Sequence, residues 1–276
     1  MHSYFLKANE VAVKSALFFN AHSRKFGNMK KLLLFLPVFF FLFSCKKKTE
    51  APVSETAQTS VKLKVHHLWD AGTDFQLNTM LVNPLNGDSL QFGIFKYYLS
   101  NLKLKRDNGT WWEMPDSYFI VDAATPQGCS LDLGNVPAGS YTAIKYTLGV
   151  DSTHNVSGSQ SGALDPANAM FWSWTSGYIM LLTEGTSPDI SQESAFSLHM
   201  TGYLKPYSII DEITHSFPAT LDISAATPKT IVISANPAYL WQSGPVSTYH
   251  SISGAGATTR QLANGFHSTF SFEGFE

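Results

Sequence analysis

The sequence predicts an all-β fold, an antiparallel β-sandwich of immunoglobulin-like architecture, on three observations. Most apolar segments after residue 60 alternate with period two and are bounded by turn residues. No stretch there offers a long, capped apolar stripe at helical spacing, so helices should be short. Residues 61–276 suit a single all-β domain in length, with no internal repeat and no Pro- or Ser-rich linker.

The segment before that domain reads as targeting. Met29 opens "MKKLLLFLPVFFFLFSC", a pair of lysines, an apolar run and a small-residue junction at Ser44-Cys45. The run is shorter than the roughly 20 residues of a membrane span. Residues 29–44 are therefore expected to be a lipoprotein signal peptide, with Cys45 the lipidated first residue of the mature chain. Residues 1–28 stand outside this signal and read as an extension from a misplaced start. Residues 45–60, polar and aperiodic, read as a disordered tether.

Charge and cysteine content narrow the function classes. Residues 1–44 hold six basic side chains against Glu10, so of the total charge of -2 the remainder carries -7. An acidic domain without a basic patch argues against nucleic acid as a partner. With Cys45 assigned to the lipid, Cys129 is unpaired, which leaves no disulfide framework and no thiolate cluster. In "PQGCSLDL" it reads as a small, partly buried residue at a strand start.

Along the domain, "VKLKVHHLW" places Val61, Leu63, Val65 and His67 on one face and Lys62, Lys64 and His66 on the other. "FGIFKYYLSNLKLKR" predicts a long strand or strand pair, and Asn108-Gly109 a hairpin turn. "SYFIVDA", "SLDLGNVPAGSYTAIKYTLGV", "GYIMLLTEG", "AFSLHMTGYL", "TLDIS", "TIVISA" and "STFSFEGF" supply further strands, whereas "YSIIDEITHS" reads as an exposed turn carrying Asp211 and Glu212. The stretch "DSTHNVSGSQSGALDPANAMFW" is the longest without strand character, and it leads into the tryptophan pair Trp172 and Trp174.

No nucleophile elbow, phosphate loop, HExxH motif or dinucleotide fingerprint is present, so no enzymatic activity is expected. Histidine is the informative residue. His67 falls on the face predicted to be buried, and alternation in "AFSLHM" sets Ala195, Ser197 and His199 opposite Phe196, Leu198 and Met200. Two strand histidines can meet at a sandwich rim and hold a metal, or each can be a hydrogen-bonded core residue. Trp172 and Trp174 at alternate positions suit a core anchor as well as a site wall, and Met170 and Met200 suit packing as well as a thioether ligand.

The succession "VHHLW", "FKYYLSNLKL", "VPAGSYTAIKYTLGVD", "LDPANAMFWSWTSGYIMLLTEG" and "FSLHMTGY" resembles the MbnP family of secreted copper-binding proteins over residues 61–276, with "GATTRQLANGFHSTF" resembling the family's last strand. The resemblance implies a β-sandwich that binds one Cu(I) through histidines, without catalysis. It also implies a nearby tryptophan oxidised to kynurenine by a partner similar to di-haem cytochrome c peroxidases of the MauG type. Carried over, the ligands are His67 and His199, with His66 the substitute if the strand register slips by one. Trp172 and Trp174 match the tryptophan-rich segment, and Asp151, Asp165 and Glu184 match polar positions, read as loop-shaping acceptors. The expected setting is the cell envelope of a Gram-negative bacterium, lipid-anchored and facing the periplasm. The alternative is a metal-free envelope module for adhesion or glycan binding, with Trp172, Trp174 and Tyr178 as an open aromatic platform.

Overall fold

The computed structural model describes residues 58–276 apart from 159, 193, 225 and 226. The expected extension, the expected signal peptide, Cys45 as the expected lipidation site and nearly all of the expected tether lie outside the described residues. In chain order the strands are β1 (Gln58–Asp70), β2 (Thr73–Asp74), β3 (Met80–Val82), β4 (Ser89–Arg106), β5 (Trp111–Glu113), β6 (Tyr118–Asp122), β7 (Ser130–Pro137) and β8 (Gly139–Leu148). The short helix α1 (Ser152–Asn155) precedes β9 (Phe171–Ser173), β10 (Gly177–Tyr178), β11 (Leu181–Thr186), β12 (Ala195–Met200), β13 (Asp211–Ile223), β14 (Lys229–Ala235) and β15 (Ser251–Gly254). Helix α2 (Ala257–His267) and β16 (Ser271–Phe275) close the chain.

Two sheets form the sandwich. One holds β16, β14, β1 and β2, with β7 also on β1; the other runs β13-β8-β4-β11-β12-β15, with β3, β5 and β6 pairing to the long β4. Their inner faces meet in an aromatic core: His67 of the first sheet packs edge-on against Phe95 and Tyr97 of the second, at ring-centroid distances of 5.5 and 5.8 Å. Trp69, Phe92, Phe196 and Trp241 continue this layer. Each ring buried there contributes on the order of 2–3 kcal/mol relative to exposure.

The predicted alternation holds where it matters for the site. Val61, Leu63, Val65, His67 and Trp69 are all buried, as are Phe196, Leu198 and Met200. The hairpin at Asn108-Gly109 joins β4 to β5, with Lys105 opposite Trp111 and Gly109 at φ 88°. Otherwise the sheets are mixed, since β1–β14 and β12–β15 pair in parallel. Such pairs need long crossovers, and alternation within a strand carries no sign of strand direction.

Three expectations are corrected. Strand β1 starts at Gln58, inside the segment read as tether. "ATTRQLANGFH" is helical, because Thr259, Leu262, Ala263 and Phe266 recur at helical spacing and all four are buried; the final strand is β16 instead. Asp211 and Glu212 open β13 rather than a solvated turn. Asp211 receives a two-point ion pair from Arg260 and a 2.7 Å hydrogen bond from His267 Nδ1, which pins α2 to the sheet. Partial burial pushes the Asp211 carboxyl up, but His267 and Arg260 outweigh it and hold the pKa down at about 2.

Candidate functional site

The tryptophan segment is a small hairpin braced by the loop before it. Asp151 caps α1 by accepting from the Thr153 and His154 amides. This positions Asn155, whose Oδ1 accepts from Tyr178 N at 2.9 Å, while its amide lies flat against Gly177. Gly177 sits at φ 73°, and a Cβ there would meet the Asn155 side chain at 2.0–2.3 Å. Asp165 caps the 3-10 turn Pro166–Asn168, and Tyr178 donates from its hydroxyl to Leu164 O. Asp151 and Asp165 thus shape the loop. Met170 and Met200 are fully buried in the core.

The β9–β10 hairpin holds Trp172, on β9, and Trp174, in the turn, outside the core, 45% and 65% exposed. Trp174 leans on Phe171, and Trp172 packs edge-on against His199 at a centroid distance of 5.3 Å. His199 Nε2 lies 2.6 Å from Glu184 Oε1 and 3.2 Å from Ser197 Oγ. Glu184, on β11 opposite Ser197 of β12, is therefore the partner of His199 and not a loop acceptor. Period-two alternation in "LLTEG" puts it on the face of Leu182, but its pairing with β12 is a tertiary fact.

His67 lies elsewhere. His199 is directly opposite Leu182, and Leu182 opposite Lys96 of β4, so these three side chains share one face of the larger sheet. Phe95 and Tyr97, which flank Lys96, point to the other face, where His67 packs on both rings. A sheet separates the two imidazoles. Two nitrogens sharing one ion at bond lengths of roughly 2 Å must lie within about 4 Å of each other. The expected two-histidine Cu(I) site is not assembled, because alternation within each strand does not say which faces of two distant strands meet. His66 does not replace His67: it turns to the opposite face of β1, with Asp74 at 2.9 Å and Glu273 at 3.1 Å. Partial burial lowers its pKa, and those two carboxylates outweigh it and raise the value.

His67 is buried, with Nε2 3.0 Å from the Tyr97 hydroxyl and Nδ1 3.7 Å from Cys129 Sγ. Burial, with a smaller contribution from His66, lowers its pKa to about 3, so the ring is neutral. A further polar cluster joins Tyr118, Asp151 and His154, with His154 Nδ1 3.1 Å from the Asp151 carboxylate and 2.6 Å from the Tyr118 hydroxyl. Partial burial pushes the Asp151 carboxyl up, and hydrogen bonds from Tyr118, His154 and Asn101 hold it down at about 2. Among the described residues, no group of three or more His, Cys, Asp or Glu side chains is placed to hold a metal ion.

The surface donors around Trp172 are one imidazole, one carboxylate and one hydroxyl. That nitrogen–oxygen set does not fit the two-imidazole arrangement for Cu(I), and it suits Cu(II) better.

Comparison with known proteins gives a family and one solved structure. The family model described as MbnP matches residues 58–256. That span omits α2 and β16, so the expected resemblance of the C-terminal stretch lies outside it. The solved structure of MbnP from Methylosinus trichosporium is 13% identical, covering 73% of this chain and 82% of that one, at a TM-score of 0.47. No curated protein matches the chain.

Proposed function

Since this chain belongs to the MbnP family, we propose that it is a copper-binding protein of the bacterial envelope, which captures or delivers copper and catalyses no reaction of its own. In this reading Cys45 carries the lipid anchor and the domain faces the periplasm of a Gram-negative cell. Copper is the cargo, and His199 with Glu184 is its first contact. Trp172, in ring contact with His199, is the indole to be oxidised to kynurenine by a di-haem partner of the cytochrome c peroxidase or MauG type. Trp174 serves as its aromatic neighbour on the hairpin.

The observation that carries this reading is the contact between His199, Glu184 and Trp172. The carboxylate orients the imidazole, and the indole covers one side of it while staying half open to a partner protein. Copper analysis of the purified chain and of a His199→Ala, Glu184→Gln double variant, both carrying Cys45→Ser and Cys129→Ser so that no thiol takes up copper, tests it. Stoichiometric copper should be lost in the variant. Retention of full copper would remove this site. Peptide mass analysis after co-expression with a di-haem partner should place any oxidised residue at Trp172.

The metal-free alternative draws on the exposure of Trp172 and Trp174, which an aromatic platform for glycan or surface adhesion also requires. Chelator-resistant glycan binding, abolished by Trp172→Ala and Trp174→Ala and indifferent to His199→Ala, would favour it over copper.

A further inference from the structure

We propose that Cys129 and His67 form a separate two-ligand site for a soft monovalent metal ion, Cu(I) or Ag(I), on the opposite face of the larger sheet from His199. The site stands on its own geometry and does not depend on the copper reading of His199. Cys129 ends the 3-10 turn Gln127–Cys129 just before β7, and His67 lies near the end of β1. Both line a cleft of about 450 Å³, with Phe75, Ala123 and Pro126 among its apolar walls.

The imidazole is placed as a ligand would be. His67 is 6% exposed, and among the described residues Nδ1 has no oxygen or nitrogen partner; it faces the thiol at 3.7 Å. Nε2 is held by Tyr97, so the ring is oriented from behind by a hydroxyl, as metal-bound histidines commonly are. The hydrogens can be assigned in one chain. Tyr97 O–H donates to Nε2, Nδ1–H to Sγ, and S–H to Asp122 O at 3.5 Å.

The donor count and charge select the ion. Bond lengths of about 2.0 Å to nitrogen and 2.3 Å to sulfur fit the 3.7 Å separation at an angle of about 120°, and linear coordination needs only about 0.6 Å of further opening. Two donors satisfy Cu(I) or Ag(I) but not Zn(II), which takes four. A monovalent ion on a thiolate adds no net charge to the cleft, whose wall beside the thiol includes Phe75, Ala123 and Pro126. Binding exchanges the thiol proton for the metal, and the remaining imidazole proton moves to Nε2, where it donates to Tyr97 Oη. Burial first, and Asp122 second, push the free thiol up to about 11, so the metal competes with this proton and binding strengthens as the pH rises.

The test uses the purified full chain carrying Cys45→Ser, so that Cys129 is the remaining thiol, titrated anaerobically with Ag(I) and with Cu(I) against a competing chelator. One equivalent should bind with an ultraviolet thiolate-to-metal band and protect Cys129 from alkylation. Cys129→Ser should abolish the band and weaken binding by more than about 100-fold. Tyr97→Phe should weaken it about 10- to 100-fold. His199→Ala should leave the band and affinity unchanged, which separates this site from the surface one. Circular dichroism controls for folding, and Cys129→Ser, nearly isosteric, is the deciding variant. The absence of the band, or affinity unchanged in Cys129→Ser, overturns the proposal.

Discussion

Replacing Gly177 by alanine strikes the joint between the loop and the tryptophan hairpin. At φ 73° an alanine pays the left-handed backbone cost of about 1–2 kcal/mol. Its Cβ would also meet the Asn155 amide at 2.0–2.3 Å, so the side chain must leave its place. Asn155 then loses the 2.9 Å bond to Tyr178 N, and a buried donor without a partner costs about 1–3 kcal/mol. The sum, about 3 kcal/mol, corresponds to a fall in Tm of about 6–12 °C for a domain of this size. Gly162→Ala is the matched control, since Gly162 also has a positive φ, 66°, with nothing within 4 Å of its Cβ. It should show only the backbone cost. Thermal unfolding followed by far-ultraviolet circular dichroism measures both, and near-ultraviolet spectra report on Trp172 and Trp174. Equal losses in the two variants would refute the role assigned to Asn155.

Three further outcomes follow from the same contacts. Asp211 titrates near 2 instead of its ordinary 3.8, so its contribution to stability is fully present above about pH 4 and disappears as the pH falls through 2. Denaturant unfolding of Asp211→Asn should therefore show a loss of about 1–2 kcal/mol at pH 7, after allowance for solvent screening, that vanishes at the acid limit. A pH-independent loss would point to packing instead. Trp241→Ala should cost about 3–5 kcal/mol, because the ring is fully buried against Phe92 and Phe196 and its Nε1 donates to Tyr249 O; a Tm within 2 °C of the parent would contradict this. Trp172→Phe should leave unfolding within about 0.5 kcal/mol of the parent, since the indole lies half exposed outside the core, and a larger loss would make it structural.

Much of the fold was legible in one dimension. The buried stripe from Val61 to Trp69 and the division of β12 into a polar and an apolar face both follow from period-two patterning. Helix α2 was missed because its apolar stripe is short and interrupted by Thr, Gln and Asn, so propensity alone did not separate it from a strand. Asp211 was misread for a related reason: a turn-like sequence becomes the start of β13 when Arg260 and His267, far along the chain, supply its partners.

For the site, the sequence by itself determined the residue types, their alternation and the family to which the chain belongs. It placed His67 on the face of β1 expected to be buried and His199 on the face of β12 that carries Ala195 and Ser197. Only the tertiary structure decided that a sheet lies between them, that His199 has Glu184 and Trp172 for neighbours, and that His67 faces Cys129. The physical reason is that alternation fixes which side chains of one strand share a face, whereas the packing of two sheets fixes which of those faces meet.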